Sequence, residues 1–387
     1  MLSGADMSAA RRRTAGVLTD RELRDAAREG WIAAPVALAD AQFQPASLDL
    51  RLGPVAYQLR ASFLPFRQTV ESRLRDEALD NDLVIDRLSL ETGLTLQRGS
   101  VYLVPLLESL ALPPDVRGRS NPKSTTGRLD IFTRLITDRT PRFDEVGAGY
   151  HGPLYLEVSP QSFPIRVQAG VSLNQLRLLS GATTVSDAEL AAYYRTSPLL
   201  YDDDDRPIAV ERVAFHDGLS MGVDLSGRAT GGIIGYRAHP NPPAVDLGRI
   251  GAYDAADFWE PIKQPSRDGF VLEANRFYIL VSKERIRVPP EFAAEMVVYD
   301  AGAGEIRTHY AGFFDPGFGF GDGGILGTKV VMEVRAREVP FMVYDGQTSF
   351  RVWFERLCGR PERVYGVGLA SSYQRQTLTL SKHFRRA

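Results

Sequence analysis

At 387 residues, 44% of them hydrophobic and 24% charged, the chain is long enough to bury two domain cores. Its net charge of −2 leaves no electrostatic footprint for nucleic acid or an anionic membrane, although local basic pockets, and with them a phosphate-bearing small molecule, stay allowed. The single Cys358 excludes internal disulfides and multi-cysteine metal sites and fits a reducing cytoplasm, while no apolar run approaches the roughly 18 residues that span a bilayer and the start lacks a secretory apolar segment.

In chain order, residues 1–15 read as a solvated tail. The run TDRELRDAAREG (19–30) is the first predicted helix, with Thr19 as N-cap, Glu22 three positions on and Gly30 at its end. Alternating runs follow as strands: SLDLRLG (47–53), SVYLVPL (100–106), PLYLEVS (153–159) and FPIRVQAG (163–170). A second helix, VSDAELAAYYRT (185–196), and the acidic YDDDD (201–205) fall in a linker region over 185–230. Four adjacent aspartates do not all point one way, so the run reads as a solvated turn rather than a metal site. The strand pattern resumes with RFYILVS (276–282), TKVVMEVRA (328–336) and VPFMVYD (339–345). Short strands broken by Pro, Gly and Asp imply a mainly β fold of the sandwich or roll kind.

The chain also contains itself twice. Residues 93–114 lie on residues 269–290 without a gap, with Gly93 on Gly269, Tyr102 on Tyr278, Glu108 on Glu284 and Pro113–Pro114 on Pro289–Pro290. From 93 to 269 is an interval of 176 residues, and the same interval sets Glu157 on Glu333, Pro164 on Pro340 and Gly170 on Gly346. The organisation is therefore a first module over 16–184 and a second over 231–387, each with one carboxylate in an apolar strand. AVDLGRIG (244–251) further echoes SLDLRLG, setting Asp246 opposite Asp49 and implying extra sequence in the first module near 60–90.

Two constellations complete the reading. RGRSNPKSTTGRLD (117–130) gathers Arg119, Lys123 and Arg128 with the hydroxyls of Ser120, Ser124, Thr125 and Thr126, a donor set suited to a polyphosphate and equally to a polar surface loop. The matching stretch of the second module, YDAGAGEIRTHYAGFFDPGFGFGDGG (299–324), is Gly-rich and aromatic, so backbone can approach a planar base closely, or simply form a hairpin. Glu157 and Glu333 either face solvent or are buried; burial would raise their pKa toward the range of a general base. Complementary half-sites point to one composite site built across the modules.

Taken together these segments resemble the dCTP deaminases of the dUTPase-like superfamily. LTDRELRDAAREGWI (18–32) with FQPASLDLRLG (43–53) is similar to that family's first helix and strand, and LLESLALPPDVRGRS (106–120) to the approach to its Gly-Arg-Ser phosphate motif. HYAGFFDPGFG (309–319) resembles its Asp-Pro-Gly loop, VVMEV (330–334) its catalytic strand, and SSYQRQTLTLSKHF (371–384) its closing C-terminal segment. The phosphate motif stands only in the first module, the loop and the tail only in the second, as in a long duplicated form. The resemblance implies distorted β-barrel or roll modules and sites at module interfaces.

Carried over residue by residue, the resemblance gives Arg119, Ser120, Lys123 and Arg128 to the triphosphate, and Asp315 to the sugar. Backbone at Tyr310, Ala311 and Gly312 would read the base, and Val331, Met332 and Glu333 would line the catalytic floor. Tyr373 and Gln376 match phosphate-side contacts, Tyr365 the tail's earlier tyrosine, and Ser372 stands where the family usually has a lysine. The implied reaction is hydrolytic deamination of dCTP to dUTP and ammonia, feeding dUMP and dTTP synthesis, with Glu333 as base and Glu157 as its rival. Mg²⁺ would arrive on the triphosphate; zinc is not expected, since the His-x-Glu…Pro-Cys-x-x-Cys signature is missing. A dUTP pyrophosphatase, a bifunctional deaminase–pyrophosphatase and a non-catalytic nucleotide sensor of the same fold are the alternatives. If each site needs a threefold module interface, chains must associate, with a trimer the simplest closed set.

Overall fold

Strands dominate the computed structural model, which describes residues 14–75, 83–264, 269–298, 307–308, 312–336, 339–367 and 373–385. The tail reading therefore lies almost wholly outside the described residues. The first helix runs Asp20–Arg28, the Glu22 carboxylate accepting the Thr19 N–H at 2.9 Å, and the second runs Asp187–Thr196 from Ser186. None of the described helices is long and apolar enough to cross a membrane.

Each module is a roll of two antiparallel sheets plus a two-strand ribbon. In the first, one sheet centres on Ser172–Ser180, between Val116–Pro122 and Ser47–Arg51, and the other on Val101–Ala111, between His151–Pro160 and Val55–Leu59. The second repeats this at the interval of 176 residues: Thr348–Arg356 stands for Ser172–Ser180, Phe277–Ile286 for Val101–Ala111, and Thr328–Arg335 for His151–Pro160. The ribbons obey the same interval, Leu94–Leu96 with Ile165–Val167 against Phe270–Leu272 with Phe341–Val343. Alternation buries one face of every central strand in its module's core.

Two sequence expectations change. Val245–Asp246 does not occupy the position of Ser47–Arg51; it is a two-residue strand lying parallel to Ile165–Val167 of the first module. The true counterpart is Leu219–Gly222, because Ser220 faces Arg351 as Asp49 faces Gln175, and Arg351 follows Gln175 by the repeat interval. The echo misled because a run of a few residues around one Asp-Leu pair carries too little pattern to fix a strand's place in the sheet. The stretch 185–230 is also more than a linker: Leu200–Tyr201 pairs with Phe277–Ile286, Leu219–Gly222 pairs with Thr348–Arg356, and Leu190 and Tyr194 are buried in the second core.

The modules are fused along a polar and apolar seam. Phe163 of the first packs on Trp259 of the second at 5.1 Å between centroids, and Trp259, Phe277 and Phe384 belong to the core that fills the first module. Elsewhere along the seam Arg119 pairs with Glu295 at 2.6 Å and Glu355 at 2.9 Å. This seam positions the cavity described next.

Candidate active site

A cavity of about 350 Å³ opens where the modules meet, lined by Gln44, Asp49, Lys123, Thr125, Arg128 and Gln175 from the first and by Gly312, Asp315, Val331, Glu333, Tyr365, Tyr373, Gln376 and Lys382 from the second. It is composite, as the sequence implies, and among the described residues both half-sites come from one chain. Association of chains is thus not required to bring these two half-sites together.

Glu333 sits on the strand Thr328–Arg335, whose alternation turns Glu333 and Arg335 toward the first module: Arg128 Nε stands 4.0 Å from the Glu333 carboxylate, and Arg335 pairs with Asp130. Burial pushes the Glu333 carboxyl up to about 7, against the pull of the Arg128 guanidinium. Met332, expected beside it, faces the opposite way into the second core and does not line the cavity, whereas Val331 does. Reading three consecutive strand residues as one floor ignored the period of two.

Asp315 lies on the loop after Phe313–Phe314, and burial pushes it up to about 6, opposed by Arg177. The loop approaches Val364 and Tyr365 so closely that Gly317, at φ 97°, admits no side chain; a Cβ there would lie 2.1 Å from Val364 Cγ1. Gly312 lines the cavity, while Tyr310 and Ala311 lie outside the described residues.

The cationic end is built by the one-turn helix Ser124–Gly127 and its flanks. Thr126 Oγ1 donates to Leu173 O at 2.7 Å, anchoring the turn so that Lys123 and Arg128 project into the cavity. Lys123 is paired with Asp49, whose Oδ1 is buried without a partner. Lys382, from the C-terminal segment, faces the same space and is held below the usual lysine range by burial and by Lys123. Two ammonium groups around one carboxylate leave room for anionic oxygens.

The C-terminal segment straps this end. Tyr373 stacks on Arg128 at 3.8 Å and shares a 3.0 Å hydrogen bond with Thr125 Oγ1. Arg128 Nη2 donates to Gln376 Oε1 at 2.7 Å, Gln376 Nε2 donates to Lys329 O at 2.9 Å, and Arg128 Nη1 donates to Thr379 O at 2.8 Å. Gln374 bridges Gly319 N–H and the carbonyls of Gly317 and Tyr365, so the tail also ties down the Asp315 loop.

Three expected residues lie elsewhere. Arg119 is engaged by Glu295 and Glu355 in the seam, and Ser120 is buried, accepting from Asn174 Nδ2 at 3.1 Å; neither lines the cavity. On the strand Val116–Pro122 Arg119 holds the modules together while Ser120 is tied within the first module, and the cavity is reached only further along the chain, at Lys123. Glu157 is buried with Arg134, which donates to its Oε1 through Nε at 2.9 Å and through Nη2 at 2.5 Å, and it too is outside the cavity. Its strand position repeats that of Glu333, but an arginine occupies its carboxylate. Asp49, Lys382 and Gln175 were not singled out for this site; they are distant in sequence, and only the repeated Asp-Leu run drew notice to Asp49.

Known proteins place these features in context. The description "2'-deoxycytidine 5'-triphosphate deaminase (DCD) N-terminal domain" matches residues 14–182, and that of the corresponding C-terminal domain matches residues 186–384. The crystal structure of 2'-deoxycytidine 5'-triphosphate deaminase from Agrobacterium tumefaciens superposes with a TM-score of 0.82 and 42% sequence identity, covering 89% of this chain and 100% of that one. A "dCTP deaminase, dUMP-forming" of Mycobacterium avium is 31% identical over 166 residues, 42% of this chain and 80% of its own. A "dCTP deaminase" of Natronomonas pharaonis is 28% identical over 186 residues, 46% and 89% of the respective chains. Less than half of this chain thus spans most of such a relative, as a pair of modules requires.

Proposed function

Because the chain belongs to the 2'-deoxycytidine 5'-triphosphate deaminase family, we propose that it hydrolyses dCTP to dUTP and ammonia in the composite cavity, with Glu333 as general base. The observation that carries this reading is a buried carboxyl, pushed up to about 7, in the same enclosure as Lys123, Arg128 and Lys382. The ionised Glu333 takes a proton from water, and the hydroxide adds to C4 of cytosine. That proton passes to N3 and stays there; the C4 hydroxyl of the adduct then gives up its own proton, which Glu333 relays to the exocyclic amine, C4–N bond cleavage releases ammonia, and the C4 carbonyl and N3–H of dUTP remain. General acid–base action of this kind is worth about 10²–10⁴ in rate.

In this reading Lys123, Arg128 and Lys382 take the triphosphate, Tyr373 and Gln376 hold Arg128 in place, and Asp315 receives the sugar. Backbone near Gly312 reads the base, and Tyr365 closes the loop side. Mg²⁺ is taken to arrive with the nucleotide, neutralising phosphate oxygens, and the Asp49 carboxylate at the cationic end would be its nearest protein oxygen donor in this reading. Water activation is given to Glu333 and not to zinc; Cys358, the sole cysteine, does not line the cavity. The product would feed dUMP and dTTP formation. The chain is further taken to work as an assembly of copies, the trimer being the simplest closed set.

A second reading, deamination with pyrophosphate release to give dUMP, is supported by the "dUMP-forming" relatives. Incubation with dCTP and quantification of ammonia, dUTP and dUMP decides. Ammonia with dUTP supports the first reading, ammonia with dUMP the second. Nucleotide binding without ammonia would sink both and leave a sensor.

A further inference from the structure

Arg177 is the least expected charge in the chain. It sits in the middle of the first module's strand Ser172–Ser180, is 0% exposed, and does not line the cavity. Its guanidinium crosses the seam into the second module. There Nη1 donates to Ala294 O at 2.8 Å and to Glu355 Oε2 at 3.3 Å, while Nη2 donates to Phe314 O at 2.9 Å. Nη2 also stands 3.8 Å from Asp315 Oδ1, and the guanidinium lies over the Phe313 ring at 4.0 Å. One side chain thus holds three consecutive residues, 313 to 315, by ring, carbonyl and carboxylate.

A buried ion network is a poor device for stability alone, since well-packed apolar residues of similar volume usually serve as well. The repeat supplies the comparison: the position matching Arg177 in the second module is Trp353, so the second module does without a cation at that strand position. Arg177 also retains an unpartnered buried Nε. The cost is taken where it touches the Asp315 loop and nowhere else in the repeat.

We propose that Arg177 is a positioning residue for the reaction, acting from the first module to fix the 313–315 segment so that the Asp315 carboxylate is presented to the nucleotide sugar. The inference rests on the proposed reading of Asp315 as the sugar contact. A rigidly held sugar fixes where C4 lies relative to Glu333, and a displacement of about 1 Å can cost on the order of 10² in rate. Lysine at 177 keeps the charge but loses the planar fork that reaches Ala294 O and Phe314 O together.

The test is a substrate-dependent mutant cycle at a temperature where every variant is folded. Arg177→Lys, Asp315→Asn and the double variant are assayed with dCTP and with 2′,3′-dideoxycytidine triphosphate, which lacks the 3′-hydroxyl. We expect Arg177→Lys to lower kcat/KM for dCTP by 10- to 100-fold, to change it less than threefold for the dideoxy substrate, and to add nothing to Asp315→Asn. Arg119→Lys, in the same charge cluster but without contact to residues 313–315, should affect both substrates equally. If the lysine variant does not fold, Arg177→Gln carries the same cycle. Equal losses on both substrates, or additive losses in the double variant, overturn the proposal and leave Arg177 a seam residue. An Asp315→Asn variant with unchanged dCTP turnover overturns the sugar reading itself, and the proposal with it.

Discussion

At the scale of single residues, Glu333 makes the sharpest demands. Its folded pKa, about 7, lies above that of an unfolded glutamate, so between about 4.5 and 7 the native state binds more protons than the unfolded state and stability falls as pH rises. Catalysis needs the ionised form, so kcat/KM should climb with pH through about 7 and level off above it. Glu333→Gln is expected to lower kcat by about 10²–10⁴ and, having no charge to bury, to unfold at a higher temperature than the parent at pH 8 but not at pH 5. Paired activity and melting profiles across that window check both; near-normal turnover in the variant would remove Glu333 from the role. Arg119 makes the opposite case. It holds Glu295 and Glu355 in the seam, and burial already raises the Glu295 carboxyl. Arg119→Ala should therefore cost about 3–5 kcal/mol of stability, read as a lower denaturation midpoint, rather than a selective rise in KM. Lys123 and Arg128 were legible because their chemistry is written in one short run. Asp49, Lys382 and Arg177 were not, because each acquires its meaning from a partner more than seventy residues away in sequence.

At the scale of elements, periodicity served well where a strand has one buried face and failed where three neighbours were grouped. The strands around Tyr102, Glu157, Tyr278 and Glu333 appear where alternation sets them, but alternation also sends Met332 away from the cavity. The C-terminal segment carries no periodic signal, since it is held by side chains rather than by a ladder, and only its resemblance made it readable. Its grip on Arg128 can be measured. Tyr373→Ala removes a cation–π contact and the hydrogen bond to Thr125, worth about 1–2 kcal/mol together. KM for dCTP should rise roughly tenfold, with kcat little changed. A fall in kcat at constant KM would move Tyr373 from phosphate-side support to the reacting end.

At the scale of the whole molecule, the duplication shows what covers each surface in one module and leaves it bare in the other. The first module's ribbon gains Val245–Asp246 as a third strand, and Phe163 beside it is 0% exposed against Phe258 and Trp259. The second module's ribbon has no third strand among the described residues. Val339, the repeat partner of Phe163, is 52% exposed, and Val271, Met342 and Tyr344 on the same ribbon are exposed with it. On the other side, Ile85 lies exposed on Val84–Ser89, the strand that corresponds to Trp259–Lys263. A bare apolar ribbon, and an exposed Ile85 on the strand equivalent to the one that supplies its cover, lie on opposite partners of a head-to-tail contact that a second copy of the chain would satisfy, and repetition of such a contact closes into a ring when its rotation allows. Light scattering should accordingly give a mass that is a multiple of 42.8 kDa, three times that value for the trimer. Val339→Asp with Met342→Lys should lower it toward one chain, and because both described half-sites of the cavity come from one chain, the dissociated variant should keep most of its turnover per site. A parent protein that is monomeric at assay concentration would refute the association, whereas a dissociated variant without activity would mean that neighbouring chains stabilise the seam on which the cavity depends.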